Sequence, residues 1–127
     1  MSETRKKILI VDDEPDIVKT TSIMLDLEGY EIIAAVSGED AIEKIRIDKP
    51  DLIILDVVLP GINGKEITLR LKEDSRYKNI PIILITAQTQ RNELEKLKKL
   101  PADFCLTKPF DSALLTLKVK ELLGLSQ

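Results

Sequence analysis

Five short apolar runs, separated by amphipathic stretches, constrain the fold of this 127-residue chain more than any other feature. The runs are rich in Ile, Val and Leu, and they are continuously apolar rather than alternating between apolar and polar. They occupy residues 8–11, 32–36, 52–55, 82–85 and 104–106. Because this pattern is typical of strands buried on both faces of a parallel sheet, we predict that these runs form the centre of the fold.

Stretches with helical periodicity follow each of these runs. Pro15 suits the first turn of a helix, and Ser37 resembles a capping residue at the start of the next. Residues 65–74 and 92–100 predict two further helices, and Asp111 would cap a last one. Single helices between successive strands indicate right-handed crossovers. The predicted fold is therefore a doubly wound (βα)5 α/β domain with a five-stranded parallel sheet, and periodicity alone leaves the order of the strands open.

Length and composition agree with one globular domain over residues 1–127. We expect an ordered core over about 6–124, with no linker and no output domain. The formal net charge of −3 argues against nucleic-acid binding. No apolar run approaches the roughly 20 residues that span a bilayer, which argues against a membrane role. The polar start is unlike a signal peptide, and a single cysteine, Cys105, cannot form an internal disulfide, so a cytoplasmic location is expected.

The absence of histidine limits the chemistry that the chain can perform. It excludes Ser-His-Asp and Cys-His catalysis, zinc held by histidine, and any role as a phosphohistidine carrier. Whatever chemistry occurs must therefore use carboxylates, hydroxyls, lysine and the backbone.

Polar side chains stand at the carboxyl ends of the predicted strands. They are Asp12 and Asp13 after the first, Asp56 at the end of the third, Thr86 at the end of the fourth and Lys108 after the fifth. In an open parallel α/β sheet these ends share one edge, which is where ligands bind. Taken singly, each residue has an ordinary explanation as a turn, cap or solvated surface residue. Their joint placement is poorly explained in that way.

The charges at this edge indicate a divalent cation. Three carboxylates close together repel one another, and Lys108 supplies only one compensating positive charge. Oxygen ligands without Cys or His suit Mg²⁺ or Mn²⁺ rather than zinc. An aspartate can attack phosphorus, and phosphoryl transfer needs mainly positioning and neutralisation of oxygens. Asp56 is the best candidate nucleophile, with Lys108 and the Thr86 hydroxyl available to contact a phosphoryl group.

At this point the chain resembles the response-regulator receiver family over nearly its whole length. The residues that carry the resemblance are ILIVDDE at 8–14, LDVVLPG at 55–61 with Gly64, Thr86 with Ala87, and LTKPF at 106–110. Each motif is weak alone, and together they are highly specific. The resemblance implies a flavodoxin-like fold with the strand order 2-1-3-4-5. It also implies a phosphoacceptor in two-component signalling rather than an enzyme, with Mg²⁺-dependent self-phosphorylation and self-dephosphorylation.

The resemblance further implies how the metal is held. Asp13 and Asp56 would be direct Mg²⁺ ligands, Val58 would contribute its backbone carbonyl, and Asp12 would act largely through water.

The same resemblance implies how the phosphoryl group is held and passed on. Asp56 would accept it, Lys108 would contact it, the Thr86 hydroxyl would move toward it, and the Ala87 N–H would join. The donor would be a sensor histidine kinase, a phosphotransfer protein or a small molecule such as acetyl phosphate. The signal would leave through the face built from the predicted helix over 92–100, the fifth strand and the last helix. The output partner cannot be read from the sequence, and that face is also where a homodimer would form.

The chain departs from the family pattern near the site. Cys105 stands where the family usually has an aromatic residue, and the adjacent Phe104 would face the opposite way on a strand. Movement of Thr86 therefore need not be coupled to a rotating aromatic ring. Val58 and Gln88 occupy positions that tune phosphoryl lifetime in the family; Val58 cannot position a water, whereas Gln88 can.

Three other functions are alternatives to this one. A small Mg²⁺-dependent phosphatase similar to haloacid-dehalogenase-type enzymes would want a second acid where Val58 stands. A dinucleotide- or flavin-binding domain would need a glycine-rich loop where Asp12 and Asp13 stand. A receiver-like binding module that is never phosphorylated is disfavoured by the complete set of acids, threonine and lysine.

Overall fold

The computed structural model describes residues 5–87, 95 and 99–124. Its strands are β1 (Lys7–Val11), β2 (Glu31–Ala35), β3 (Leu52–Asp56), β4 (Ile82–Ala87) and β5 (Phe104–Lys108). The helices within the described residues are α1 (Pro15–Leu27), α2 (Gly38–Asp48), α3 (Gly64–Lys72) and α4 (Ser112–Leu122). The helix predicted over 92–100 falls largely outside the described residues. Within that range the structure describes Glu95, which is helical, and residues 99–100, which are not.

The strands form one parallel sheet in the order β2-β1-β3-β4-β5. The predicted α/β class and the strand order implied by the family resemblance are thereby confirmed. Because all strands run in the same direction, their carboxyl ends meet at one edge. There Val11 pairs with Leu55, and Asp56 pairs with Ile85, so the ends of β1, β3 and β4 lie side by side.

The apolar runs are continuous because each face of the sheet packs against helices. On one face Leu9 and Ile53 join the cluster that covers α2 and α3, while on the other Ile8 and Ile54 pack toward α1 and α4. All four residues are at most 2% exposed to solvent. Complete burial of such a side chain contributes about 1.5–3 kcal/mol, so the two layers hold the sheet, and with it the site, rigidly in place.

Local signals set the ends of the helices. The side chain of Ser37 accepts a hydrogen bond from Asp40 N at 3.1 Å, and that of Asp111 accepts one from Ala113 N at 2.8 Å, which confirms both predicted caps. The third helix begins at Gly64, one residue earlier than predicted, and ends at Lys72. Within the described residues, no helix has the length and apolar character that crossing a membrane requires.

Candidate functional site

Two aspartates are held at the carboxyl edge by the backbone ladder itself. Asp56 ends β3, and Asp12 follows β1 directly. The ladder continues past both strands, since Asp12 N donates to Ala35 O at 3.1 Å and Val57 N donates to Ile85 O at 2.9 Å. Asp12 is 3% exposed and Asp56 is 5% exposed. Both carboxylates are therefore fixed in position and shielded from bulk water.

Each of these carboxylates has one oxygen committed to the local turn. Asp12 Oδ1 accepts from Glu14 N at 2.9 Å, and Asp56 Oδ1 accepts from Val58 N at 3.0 Å. A hydrogen bond from the amide two residues ahead is the usual turn formed by aspartate, and it fixes the side-chain rotamer. The second oxygen of each group, Oδ2, is left facing Lys108.

The Lys108 ammonium sits among three carboxylates. Its Nζ lies 2.9 Å from Asp56 Oδ2, 3.2 Å from Asp12 Oδ2 and 2.6 Å from Glu14 Oε1. Lys108 ends β5, so its side chain has to extend past β4 to reach the aspartates on β3 and beside β1. Such a reach suits a lysine, whose charge stands at the end of a four-carbon stem. The peptide bond from Lys108 to Pro109 is cis.

Burial and charge act together on the pKa values in this cluster. Burial raises the pKa of the Asp12 carboxyl, and the nearby Asp56 raises it further, while the Glu14 N–H and Lys108 oppose the shift. Burial alone would lower the pKa of Lys108, but its hydrogen bonds to Glu14, Asp56 and Asp12 raise that pKa above its ordinary value. Lys108 is therefore a permanent cation, and the acids around it outnumber it.

The acids also form a potential cation site. Carboxylate oxygens of Asp12, Asp13 and Asp56 all lie within 4.8 Å of one another, with Asp13 exposed and the other two buried. This donor set contains only oxygen and carries more negative charge than Lys108 balances. Hard divalent cations such as Mg²⁺ and Mn²⁺ prefer such ligands, so the residues present fit the predicted metal.

Thr86 and Ala87 lie at the same edge, at the end of β4. Asp56 pairs with Ile85, so Thr86 stands one step further toward the edge than the partner of Asp56. Thr86 is 3% exposed, and Ala87 pairs with Lys108 across β4 and β5. The structure therefore brings both predicted residues to the strand ends that carry Asp56 and Lys108.

The two predicted lifetime-tuning positions have different outcomes. Val58 follows Asp56 by two residues and its side chain is 69% exposed, so it covers the site edge without being packed into the core. Gln88 lies outside the described residues.

The residue in the usual aromatic position faces the helices α2 and α3. Cys105 packs against the cluster on that side, whereas Phe104 packs against the cluster on the α1 and α4 side. The predicted opposition of the two side chains is confirmed. Lys118 Nζ lies 4.6 Å from the centre of the Phe104 ring, so the ring makes a cation–π contact on the α1 and α4 side of the sheet. Phe104 therefore does not replace the missing aromatic residue.

Glu14 is the site residue that sequence reasoning missed. In the sequence it is only the last letter of the ILIVDDE motif, and in the structure it stands immediately before α1. Its side chain makes no capping hydrogen bond and instead meets Lys108, 94 residues away. No local pattern could have signalled this, because the contact depends on where β5 lies relative to β1.

A cavity of about 510 Å³ opens beside the cluster, between α1 and the segment that leads into α4. Glu14, Asp16 and Lys108 lie at its polar part, and Met24 and Phe110 belong to its apolar lining. Glu14 and Lys108 therefore face this cavity, whereas Asp12 and Asp56 do not line it.

Comparison with known proteins agrees with the fold. The family model described as the response regulator receiver domain matches residues 8–120. The alkaline phosphatase synthesis transcriptional regulatory protein PhoP of Bacillus subtilis (strain 168) is 38% identical over 122 residues, covering 96% of this chain and 50% of its own length. The chain thus spans about half of that relative.

Protein PilH of Pseudomonas aeruginosa is 34% identical over 118 residues, covering 93% of this chain and 98% of its own length. Among solved structures, the receiver domain of the sensor histidine kinase PA1611 from Pseudomonas aeruginosa PAO1 superposes with a TM-score of 0.86 at 26% identity, covering 95% of this chain and 99% of that one. That structure has a magnesium ion coordinated in its active-site cleft.

Proposed function

The chain belongs to the response-regulator receiver family, and from this premise we propose that Asp56 accepts a phosphoryl group in a Mg²⁺-dependent reaction. The observation that carries the proposal is the buried Asp56 carboxylate with the Lys108 ammonium 2.9 Å away, inside a cluster of further acids. A nucleophile, a fixed cation and a set of oxygen ligands for a metal are the parts that phosphoryl transfer requires.

With acetyl phosphate as donor, the phosphoryl group passes from one carboxylate to another. An Asp56 carboxylate oxygen forms a bond to phosphorus while the bond from phosphorus to the carboxyl oxygen of acetate breaks. Acetate leaves with the electron pair of that bond, and an acyl phosphate remains on Asp56. Hydrolysis then adds water at phosphorus, which returns the carboxylate and releases inorganic phosphate.

The metal-binding residues proposed are those of the acidic cluster. Asp13 and Asp56 would hold Mg²⁺ directly, the Val58 carbonyl would add a backbone ligand, and Asp12 would act through water. When bound, the ion supplies the positive charge that neutralises phosphoryl oxygens and offsets the repulsion among the acids. Support comes from the spacing of the Asp12, Asp13 and Asp56 oxygens, all within 4.8 Å of one another.

The other residues of the edge hold the product and change with it. Lys108 binds one phosphoryl oxygen, and the Thr86 hydroxyl and the Ala87 N–H bind others. Thr86 moves toward the phosphoryl group without a rotating aromatic ring behind it, because Cys105 occupies that position. Val58 and Gln88 are the positions through which the lifetime of the acyl phosphate is tuned, since a glutamine side chain can position a water and a valine side chain cannot.

The phosphoryl group comes from a sensor histidine kinase or a phosphotransfer protein, and the change is read on the face that includes β5 and α4. Leu117 on α4 is 43% exposed, and an exposed leucine on this helix suits a partner surface or a homodimer. A cytoplasmic location remains our prediction from the sequence.

Intact mass spectrometry after incubation with acetyl phosphate or phosphoramidate tests the proposal. With Mg²⁺ we expect one added phosphoryl group, and we expect none in EDTA or in the Asp56→Asn variant. The Asp51→Asn variant is the matched control, because Asp51 is an aspartate at the opposite, amino end of the same strand. Addition to Asp56→Asn, or no addition to a folded wild-type protein with either donor, would contradict the proposal and favour a binding module that is not phosphorylated.

A further inference from the structure

We propose that Glu14 is a positioning residue that holds Lys108 in the unphosphorylated protein and gives it up when Asp56 is phosphorylated. This inference rests on the proposed phosphoryl chemistry and adds a residue to which no part of that chemistry assigns a role. Glu14 then sets how readily the site accepts a phosphoryl group.

Three carboxylates crowd the Lys108 ammonium, which has three N–H donors and no acceptor. Its Nζ donates to Glu14 Oε1 at 2.6 Å and to Asp56 Oδ2 at 2.9 Å, and it forms an ion pair with Asp12 Oδ2 at 3.2 Å. A phosphoryl oxygen reaches Lys108 by displacing one of these three contacts.

Of the three carboxylates, Glu14 can release Lys108 most easily. The Asp12 side chain is 4% exposed, and its other oxygen is fixed by a backbone N–H, so it has no water to turn toward. Asp56 carries the incoming group and moves with it. The Glu14 side chain is 58% exposed and makes no capping bond at the start of α1, so water can replace Lys108 at little cost. Glu14 is therefore the contact that is exchanged.

Holding Lys108 has a consequence for the reaction. In the unphosphorylated state, Glu14 competes for the Lys108 ammonium, the cation that the reaction needs at the phosphoryl oxygens. Removing the carboxylate should therefore speed phosphorylation. Because Glu14 also lines the cavity between α1 and α4, its release changes the charge at that opening whenever Asp56 is phosphorylated.

The test compares Glu14→Gln with Asp16→Asn. Both substitutions remove one exposed negative charge from the same cavity, but Asp16 is not among the carboxylates that bond Lys108. With acetyl phosphate and saturating Mg²⁺, we expect Glu14→Gln to raise the rate of phosphorylation by about two- to five-fold, the range for loss of an exposed ion pair. We expect Asp16→Asn to leave the rate unchanged. Titration calorimetry with Mg²⁺ in each variant establishes the saturating concentration.

A double-mutant cycle separates positioning of Lys108 from a structural role of Glu14. In a Lys108→Met background, Glu14→Gln should no longer change the rate, because the cation that it would release is gone. Glu14→Asp keeps the charge but shortens the side chain, and we expect it also to accelerate the reaction. Urea denaturation of each variant accompanies the rates, so that a loss of folding is not read as a kinetic effect.

Two results would refute the role of Glu14 and leave the proposed function intact: a Glu14→Gln rate equal to that of the wild type, or an acceleration that persists without Lys108. An equal acceleration in Asp16→Asn would likewise refute it, since general charge would then explain the effect. Failure of the folded wild-type protein and both variants to take any phosphoryl group would refute both proposals.

Discussion

Replacement of Asp12 by asparagine should stabilise the protein in the absence of divalent cations. The side chain is nearly isosteric, and its oxygen can still accept from Glu14 N, so the change removes the charge and little else. The change in stability therefore depends on whether attraction of the Asp12 charge to Lys108 outweighs its repulsion by the other acids.

The distances in the cluster give the sign and size of the effect. At an effective dielectric constant of 20, attraction to Lys108 at 3.2 Å is worth about 5 kcal/mol. Repulsion from the buried Asp56, which has an oxygen within 4.8 Å, is worth at least about 3.5 kcal/mol on the same scale, and the exposed Asp13 adds a smaller repulsion because solvent screens it. Burial of the charge adds to the repulsive side. We therefore expect the free energy of unfolding to rise by roughly 1–3 kcal/mol, or about 4 °C in Tm per kcal/mol for a chain of this length.

The pH dependence of stability has a definite sign. Because the folded pKa of Asp12 lies above its ordinary value of 3.8, the folded state holds this proton more tightly than the unfolded state. Its contribution to stability is therefore lost as the pH rises from that ordinary value through the folded pKa. The advantage of Asp12→Asn should be small in acid and should reach its full value once the pH exceeds the folded pKa.

Urea denaturation in EDTA at neutral pH measures the effect, with Glu31→Gln as control. Glu31 is an exposed acid at the amino end of β2, on the edge of the sheet away from the cluster. Added Mg²⁺ should stabilise the wild type more than the variant, since binding stabilises the folded state by mass action and the variant has lost part of the site. An Asp12→Asn protein that is no more stable than the wild type in EDTA would refute the reasoning, as would equal stabilisation of both by Mg²⁺.

Two further predictions concern the frame that carries the site. Gly64→Ala should destabilise the protein by about 1–3 kcal/mol and slow phosphorylation, because a Cβ there would lie 2.5 Å from Asp56 O and 2.8 Å from Val57 Cα. Unchanged stability in urea denaturation together with an unchanged phosphorylation rate would contradict this prediction. Leu115→Ala should lower the free energy of unfolding by about 2–5 kcal/mol, since Leu115 is 0% exposed. Leu117→Ala on the same helix should lower it far less, because Leu117 is 43% exposed. Equal losses of stability in thermal unfolding would overturn the assignment of the buried face of α4.

Much of the fold was predictable because the signals are local. The apolar runs mark the strands through burial on both faces, and the caps at Ser37 and Asp111 mark helix starts through hydrogen bonds to amides two or three residues away. The predicted bounds of α3 were less accurate, because its start depends on the close approach of Gly64 to the end of β3. That approach is a tertiary contact and leaves no periodicity in the sequence.

The sequence by itself determined that acids, a hydroxyl and a lysine stand at strand ends, and that parallel strands would carry them to one edge. Periodicity could not determine the strand order, which was predicted only from the resemblance to a family. Only the tertiary structure decided that Lys108 reaches past β4 to Asp12 and Asp56, and that Glu14 completes its set of partners. The physical reason is that these contacts join β1, β3 and β5, so they depend on the order and registers of strands far apart in the chain.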